Sequence, residues 1–123
     1  MEIGTADTSR INGGVVRTWT LKPGAPVRPV WAGPTPLRMV LVTGTFGGAR
    51  VGMVATITPE GDGPFVPVCT SEGLLPFSTA RPRGAVLSPF GLWLRPVVAG
   101  GDETTEVVVT LALVNPAHQG PME

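Results

Sequence analysis

Apolar and polar residues alternate along two segments of this chain, with the two-residue period of a half-buried β-strand. Segments 49–58 and 105–113 each direct one set of apolar side chains to a single face. These sets are Val51, Met53, Ala55 and Ile57 in the first segment, and Val107, Val109, Leu111 and Leu113 in the second. A register slip of one residue would expose either whole set to water, so we expect both strands to pair in a well-specified register.

Weaker strand patterns bring the predicted total to about eight strands. They cover residues 15–21, 27–31, 37–46, 65–70, 84–88 and 91–98. Segment 37–46 is apolar on both faces, with Leu37, Met39 and Leu41 on one face and Val40, Val42 and Phe46 on the other. A strand that is apolar on both sides predicts either a central position in the fold or a partner protein on its outer face.

Glycine-rich turns separate these strands, and no segment has the periodicity of a helix. Gly47-Gly48 predicts a tight hairpin because both residues can adopt positive φ, and residues 58–64 and 100–102 predict further turns. Connections this short favour antiparallel pairing. We therefore predict an all-β fold, an antiparallel β-sandwich or jelly roll over residues 13–114. Residues 1–12 and 115–123 are predicted to be flexible terminal arms.

Composition narrows the function classes. The chain has 123 residues with equal numbers of basic and acidic side chains, 9 of each, which argues against nucleic acid as the main partner. Its apolar runs are too short to span a bilayer, and its first residues lack a signal-peptide pattern, so we expect no membrane partner and synthesis in a cytoplasm. Cys69 is the single cysteine, and folding should therefore not depend on an internal disulfide.

The residues that carry chemistry are few and scattered. His118, the single histidine, falls in the predicted tail, where it lacks the fixed position that a general base needs. The carboxylates Glu60 and Asp62, and Asp102, Glu103 and Glu106, fall in predicted turns and match no calcium loop. The sequence therefore predicts a protein that is not an enzyme, with no catalytic residue, no cofactor and no metal site.

Three tryptophans are the remaining candidates for binding. Trp19, Trp31 and Trp93 could form an aromatic platform for sugar rings, but the chain has few of the planar polar side chains that sugar sites use. Tryptophan in the core or at a protein interface is the favoured interpretation. The predicted partner interface comprises Arg28, Val30 and Trp31 from the proline-rich stretch, and Val40, Val42 and Phe46 from segment 37–46.

The order of the turn and strand motifs resembles the small β-sandwich virion structural proteins of tailed bacteriophages. Residues 41–51 resemble the "GTFGGA-V" segment of that family, residues 58–68 its "sP-DGG-fvpV" turn, and residues 94–111 its "LRpVVsGg…vtVtL" ending. Thr56 and Ile57 depart from the pattern, which has an aromatic residue there.

The resemblance implies a virion localisation and a structural role, foremost as a capsid decoration or auxiliary protein. Its expected partners are other virion proteins, either major capsid or tail proteins, together with further copies of this chain as a homo-oligomer. The alternatives are a tail, fibre or spike component, and a carbohydrate-binding β-sandwich.

Overall fold

The computed structural model describes residues 6–11, 13–72 and 75–115, which form ten β-strands and, in these ranges, no helix. The strands are β1 (Asp7–Ile11), β2 (Gly14–Leu21), β3 (Val30–Trp31), β4 (Leu37–Thr45), β5 (Arg50–Thr56), β6 (Val66–Pro67), β7 (Ser78–Thr79), β8 (Arg83–Leu87), β9 (Trp93–Ala99) and β10 (Glu106–Val114). The predicted all-β class is confirmed.

The strands form two antiparallel sheets, and successive strands change sheet repeatedly. Sheet I has the order β1-β2-β10-β4-β8, and sheet II has the order β3-β9-β5-β6, with β7 also paired to β5. The chain thus passes from β2 in sheet I to β3 in sheet II, back to β4 and on to β5. This interleaved order, with β2-β10-β4-β8 facing β3-β9-β5-β6, is that of an eight-stranded jelly roll. Strand β1 extends sheet I beyond it.

The core consists of the inward side chains of both sheets. Val107, Val109, Leu111 and Leu113 of β10 are all at most 2% exposed, so the predicted inward face of this strand is confirmed. Strand β5 likewise buries Val51, Met53 and Ala55. Ile57 was predicted to join them, but it lies beyond the end of β5 and is 62% exposed. Trp19 of β2 is fully buried against this core.

The predicted Gly47-Gly48 hairpin is wrong, although the turn itself forms. Ala49 N donates to Phe46 O at 2.8 Å, and Gly47 and Gly48 have φ values of 55° and 87°, which only glycine adopts without strain. The flanking strands, however, belong to different sheets: β4 pairs with β10 and β8, and β5 pairs with β9, β6 and β7. The turn therefore carries the chain from one sheet to the other.

The predicted N-terminal arm also differs from the structure. Residues 7–11 form β1, which pairs with β2 from Asp7↔Thr18 to Ile11↔Gly14. All five side chains of β1 are exposed, so the strand is held by backbone pairing, which leaves no alternating pattern in the sequence. Of the predicted C-terminal arm, Asn115 is described and donates its backbone N–H to Gly13 O at 2.8 Å. Residues 116–123 lie outside the described residues.

At each end of the sandwich, a buried polar side chain forms hydrogen bonds with the segments that connect the two sheets. At one end, Thr105 Oγ1 donates to Phe46 O at 2.8 Å and accepts from Asp102 N at 2.9 Å. At the other end, Arg38 donates to backbone carbonyls on both the β3–β4 and β8–β9 connections. We call the two ends of the sandwich the Thr105 end and the Arg38 end. The hydrogen bonds of these two residues link neighbouring connections and so fix how the two sheets face each other.

Candidate binding surfaces

The structure separates the predicted interface residues into a buried and an exposed group. Val30, Val40, Val42 and Phe46 are at most 8% exposed and belong to the core. Their assignment to a partner surface is therefore wrong. Arg28 is exposed and Trp31 is 47% exposed, so both are accessible to a partner.

Over four adjacent strands, the outer face of sheet I carries no charged residue except Glu106, which begins β10. Its central outward positions are Val16, Thr18 and Thr20 in β2, Val108, Thr110 and Ala112 in β10, Met39, Leu41 and Thr43 in β4, and Gly84 and Val86 in β8. We call these residues the uncharged face. Leu41, Val86 and Met39 are 49%, 40% and 37% exposed. The segment predicted to be apolar on both sides thus turns Val40 and Val42 inward, and Met39 and Leu41 outward.

Charges appear only at the margins of the uncharged face. Asp7 of β1 pairs in register with Thr18, and Glu106 begins β10, where its carboxylate lies 4.0 Å from Lys22 Nζ. A solvated sheet face usually carries polar and charged side chains at alternate positions. Depletion of charge over an exposed area is instead characteristic of the centre of a protein interface.

The outer face of sheet II carries aromatic side chains. The rings of Trp31 and Trp93 are opposite each other in register and pack edge-to-face, with centroids 5.2 Å apart and an interplanar angle of 69°. Trp93 Nε1 donates to Pro59 O at 3.2 Å, which fixes its ring. Arg95 lies two residues after Trp93 in β9, and its guanidinium is 4.7 Å from the centroid of the Phe65 ring. We call Trp31, Trp93, Arg95 and Phe65 the aromatic strip.

A groove lies beside Trp31, between the β1–β2 hairpin and the chain that follows β3. Its cavity volume is about 620 Å³, and Arg10, Arg17, Trp31 and Gly33 are among the residues that line it, a size typical of ligand clefts. Arg17 Nη1 donates to Thr8 Oγ1 at 2.7 Å. The buried Arg17 Nε has no hydrogen-bond partner within the described residues.

Among the carboxylates in the predicted turns, Asp102 accepts hydrogen bonds within its own turn, and Glu106 lies near Lys22. Asp102 Oδ1 accepts from Thr104 N at 2.8 Å and from Thr104 Oγ1 at 2.6 Å. These bonds to Thr104 hold the pKa of Asp102 below its usual value. In residues 6–11, 13–72 and 75–115, no three His, Cys, Asp or Glu side chains are grouped as metal ligands.

Two residues with possible chemistry remain, Cys69 and His118. Cys69 is half-buried, and its carbonyl accepts from Ser88 N at 2.8 Å. His118 lies outside the described residues. Over the described ranges, no helix is long and apolar enough to cross a bilayer.

No protein-family model, curated protein or solved structure matches this chain. Function is therefore inferred from the surfaces of the molecule, together with the motif resemblance in residues 41–111.

Proposed function

We propose that this protein is a non-enzymatic structural component of a bacteriophage virion, a capsid decoration or auxiliary protein that binds the assembled head. The observation that carries the proposal is the uncharged face of sheet I. It presents exposed Leu41, Val86 and Met39 among threonines and small residues, with no charge to desolvate when a partner covers it. Burying such a face costs little electrostatically and gains about 25 cal/mol for each Å² of apolar surface.

The fold supports the proposal by analogy. Jelly rolls occur repeatedly in viral capsid proteins, and also in lectins. Because one fold hosts many functions, the analogy raises both possibilities without choosing between them. The motif resemblance in residues 41–111 favours the virion.

The mechanism would be stabilisation by bridging. A rigid sandwich whose uncharged face contacts two neighbouring shell subunits links them, and its binding energy is available only in the assembled shell. A ligand that binds one state of an equilibrium stabilises that state by an amount set by its free concentration relative to its Kd. The protein would thereby shift the shell towards the assembled state.

A matched pair of valines tests the role of the uncharged face. Val86 lies on this face and is 40% exposed, whereas Val66 lies in sheet II and is 44% exposed. We expect Val86→Glu to weaken binding to undecorated heads by at least about tenfold, because an unpaired carboxylate would be buried in the contact. Val66→Glu should bind as the parent does.

Both substitutions are at exposed sites, so circular dichroism melts should show both variants folded. Equal binding of Val86→Glu and the parent would contradict the proposed contact surface. Equal weakening by both substitutions would contradict it as well, since the effect would then follow from net charge alone.

A second candidate function is carbohydrate binding, and the groove beside Trp31 is the observation that favours it. An exposed indole ring can stack on the apolar face of a sugar, and Arg10 and Arg17 supply hydrogen-bond donors at the same groove. The edge-to-face packing of Trp31 on Trp93 is unfavourable for sugar stacking, because it prevents the two rings from forming one flat platform.

A glycan array separates the two functions. Carbohydrate binding predicts retention of defined glycans by the parent and loss of retention in Trp31→Ala. The virion structural function predicts no glycan retention, together with binding to heads that Val86→Glu weakens.

A further inference from the structure

Three arginines meet at one cleft near the Thr105 end of the sandwich, where the chain crosses from β7 in sheet II to β8 in sheet I. Arg50 begins β5, Arg81 lies in the crossing, and Arg83 begins β8. With Ser78, Thr79 and Ala80 they line a cleft of about 410 Å³. We call it the arginine cleft. It lies apart from both the uncharged face and the groove beside Trp31.

Hydrogen bonds to the short strand β7 position the guanidiniums of Arg50 and Arg83 and the backbone of Arg81. Ser78 Oγ accepts from Arg50 Nη1, and Ser78 O accepts from Arg83 Nη1, both at 3.3 Å. The Arg83 guanidinium also lies 5.2 Å from the centroid of the buried Phe77 ring. Thr79 Oγ1 donates to Arg81 O at 2.6 Å, which fixes the backbone of the crossing. The cleft is therefore partly organised before any ligand binds, which lowers the entropic cost of binding.

No described carboxylate neutralises these charges. In the part of the chain that the structure describes, the ion pair that forms is Lys22 with Glu106, and none of the residues that line the arginine cleft is acidic. Three like charges in one cleft repel each other, and the repulsion is relieved when an anion enters. The guanidiniums of Arg50 and Arg83 each donate one hydrogen bond within the protein, which leaves further donors for a ligand.

We propose that the arginine cleft binds carboxylate side chains of a partner protein, an acidic segment whose Asp or Glu residues pair with Arg50, Arg81 and Arg83. The assignment to a protein carboxylate rests on the protein-binding function proposed above. Arginine forks bind carboxylates and phosphates alike. A polyanionic nucleic acid is disfavoured because the chain has a net charge of zero and the cluster is confined to one cleft.

The test is an NMR titration of the whole chain with a blocked tetraglutamate peptide at low salt. We expect the peptide to shift the backbone amides of residues 78–83, and the binding to weaken as salt is raised. A tetraglutamine peptide should cause no shift. Arg50→Gln and Arg83→Gln should each weaken binding by about fivefold. Lys22→Gln, which removes one positive charge from an exposed site outside the cleft, should leave binding unchanged.

Three results would overturn the proposal. They are the absence of shifts at residues 78–83, equal weakening by Lys22→Gln and the cleft variants, and tighter binding of inorganic phosphate or duplex DNA than of the glutamate peptide. Binding of the parent protein to heads distinguishes failure of the cleft assignment from failure of the proposed function. If the peptide does not bind while the parent still binds heads, the cleft assignment fails and the virion function stands.

Discussion

Arg38 offers the sharpest test of how the two sheets are held together at one end. Its side chain is 2% exposed, on the inward face of β4. Its guanidinium donates to Gly33 O at 2.9 Å, Thr35 O at 2.9 Å and Phe90 O at 2.8 Å. Burial lowers the pKa of Arg38 from its usual value, but a guanidinium remains protonated at neutral pH.

Arg38→Met removes the guanidinium while it keeps most of the aliphatic stem. Of the three bonds, the one to Gly33 O is buried and the other two are partly buried, so water can reach those two carbonyls in the variant. An orphaned buried acceptor costs about 1–3 kcal/mol, and we expect a total loss of about 2–3 kcal/mol in the free energy of unfolding. Arg38→Lys should recover only part of it, because one ammonium cannot reproduce the fork of donors.

Urea denaturation followed by tryptophan fluorescence measures this loss. With a slope of about 1–3 kcal/mol per molar urea, the Arg38→Met midpoint should fall by about 0.7–3 M while the slope stays constant. Arg28→Met, at an exposed arginine, is the matched control and should change stability by less than about 0.5 kcal/mol. If the two variants lose equal stability, the reasoning about Arg38 is refuted.

Three further predictions concern the Thr105 end and the single thiol. A Cβ on Gly47 would lie 2.6 Å from the buried Thr105 Oγ1, whereas one on Gly48 would meet no atom within 4 Å. Both residues have positive φ, so Gly47→Ala should cost at least about 1 kcal/mol more than Gly48→Ala in urea denaturation. Equal losses would contradict the packing of this crossing. Asp102 should titrate below the usual aspartate range in a carboxyl-carbon NMR titration, and Thr104→Ala should raise its pKa. The stabilisation from this lowered pKa is present above the ordinary aspartate pKa and is lost as pH falls through the lowered value. An unchanged pKa in Thr104→Ala would refute the assigned cause. Cys69→Ser should fold with a loss of about 1–2 kcal/mol, and reductant should leave the melting temperature of the parent unchanged; a lower melting temperature on reduction would indicate a disulfide between chains.

The strands that could be predicted are those that bury one face and expose the other. Strands β5 and β10 alternate in this way, and their inward side chains were predicted correctly. The exception is Ile57, which was predicted to be inward but lies beyond the end of β5. Strand β1 could not be predicted from alternation because all five of its side chains are exposed, and its backbone pairing with β2 leaves no hydrophobic pattern.

The sequence could not indicate which sheet each strand joins. Gly47-Gly48 has the chemistry of a hairpin turn, and the turn forms. Whether the next strand then pairs with the previous one or crosses to the other sheet depends on distant partners, here β10 for β4 and β9 for β5. Local turn chemistry carries no information about those partners.

The orientation of β4 shows why the predicted interface was partly wrong. Both faces of this strand are apolar, so hydrophobicity alone does not identify the inward one. Arg38 lies on the same face as Val40 and Val42, and a charged residue would ordinarily mark the outward face. Its three carbonyl acceptors allow that face to be buried, which leaves Met39 and Leu41 outside.

The arginine cleft could not be predicted for a related reason. Arg50 is far in sequence from Arg81 and Arg83, and the pairing of β5 with β7 brings these segments together. No local motif records that proximity.

Recovery of the protein with virus particles tests the central proposal most directly. Particles from a lysate of cells that carry the gene would be banded on a density gradient, separated into heads and tails, and analysed by quantitative mass spectrometry. A capsid decoration protein should be found with the heads in many copies per particle, and little should remain as free monomer. Absence from all particle fractions, with the whole amount sedimenting as a monodisperse monomer, would contradict the proposed virion function.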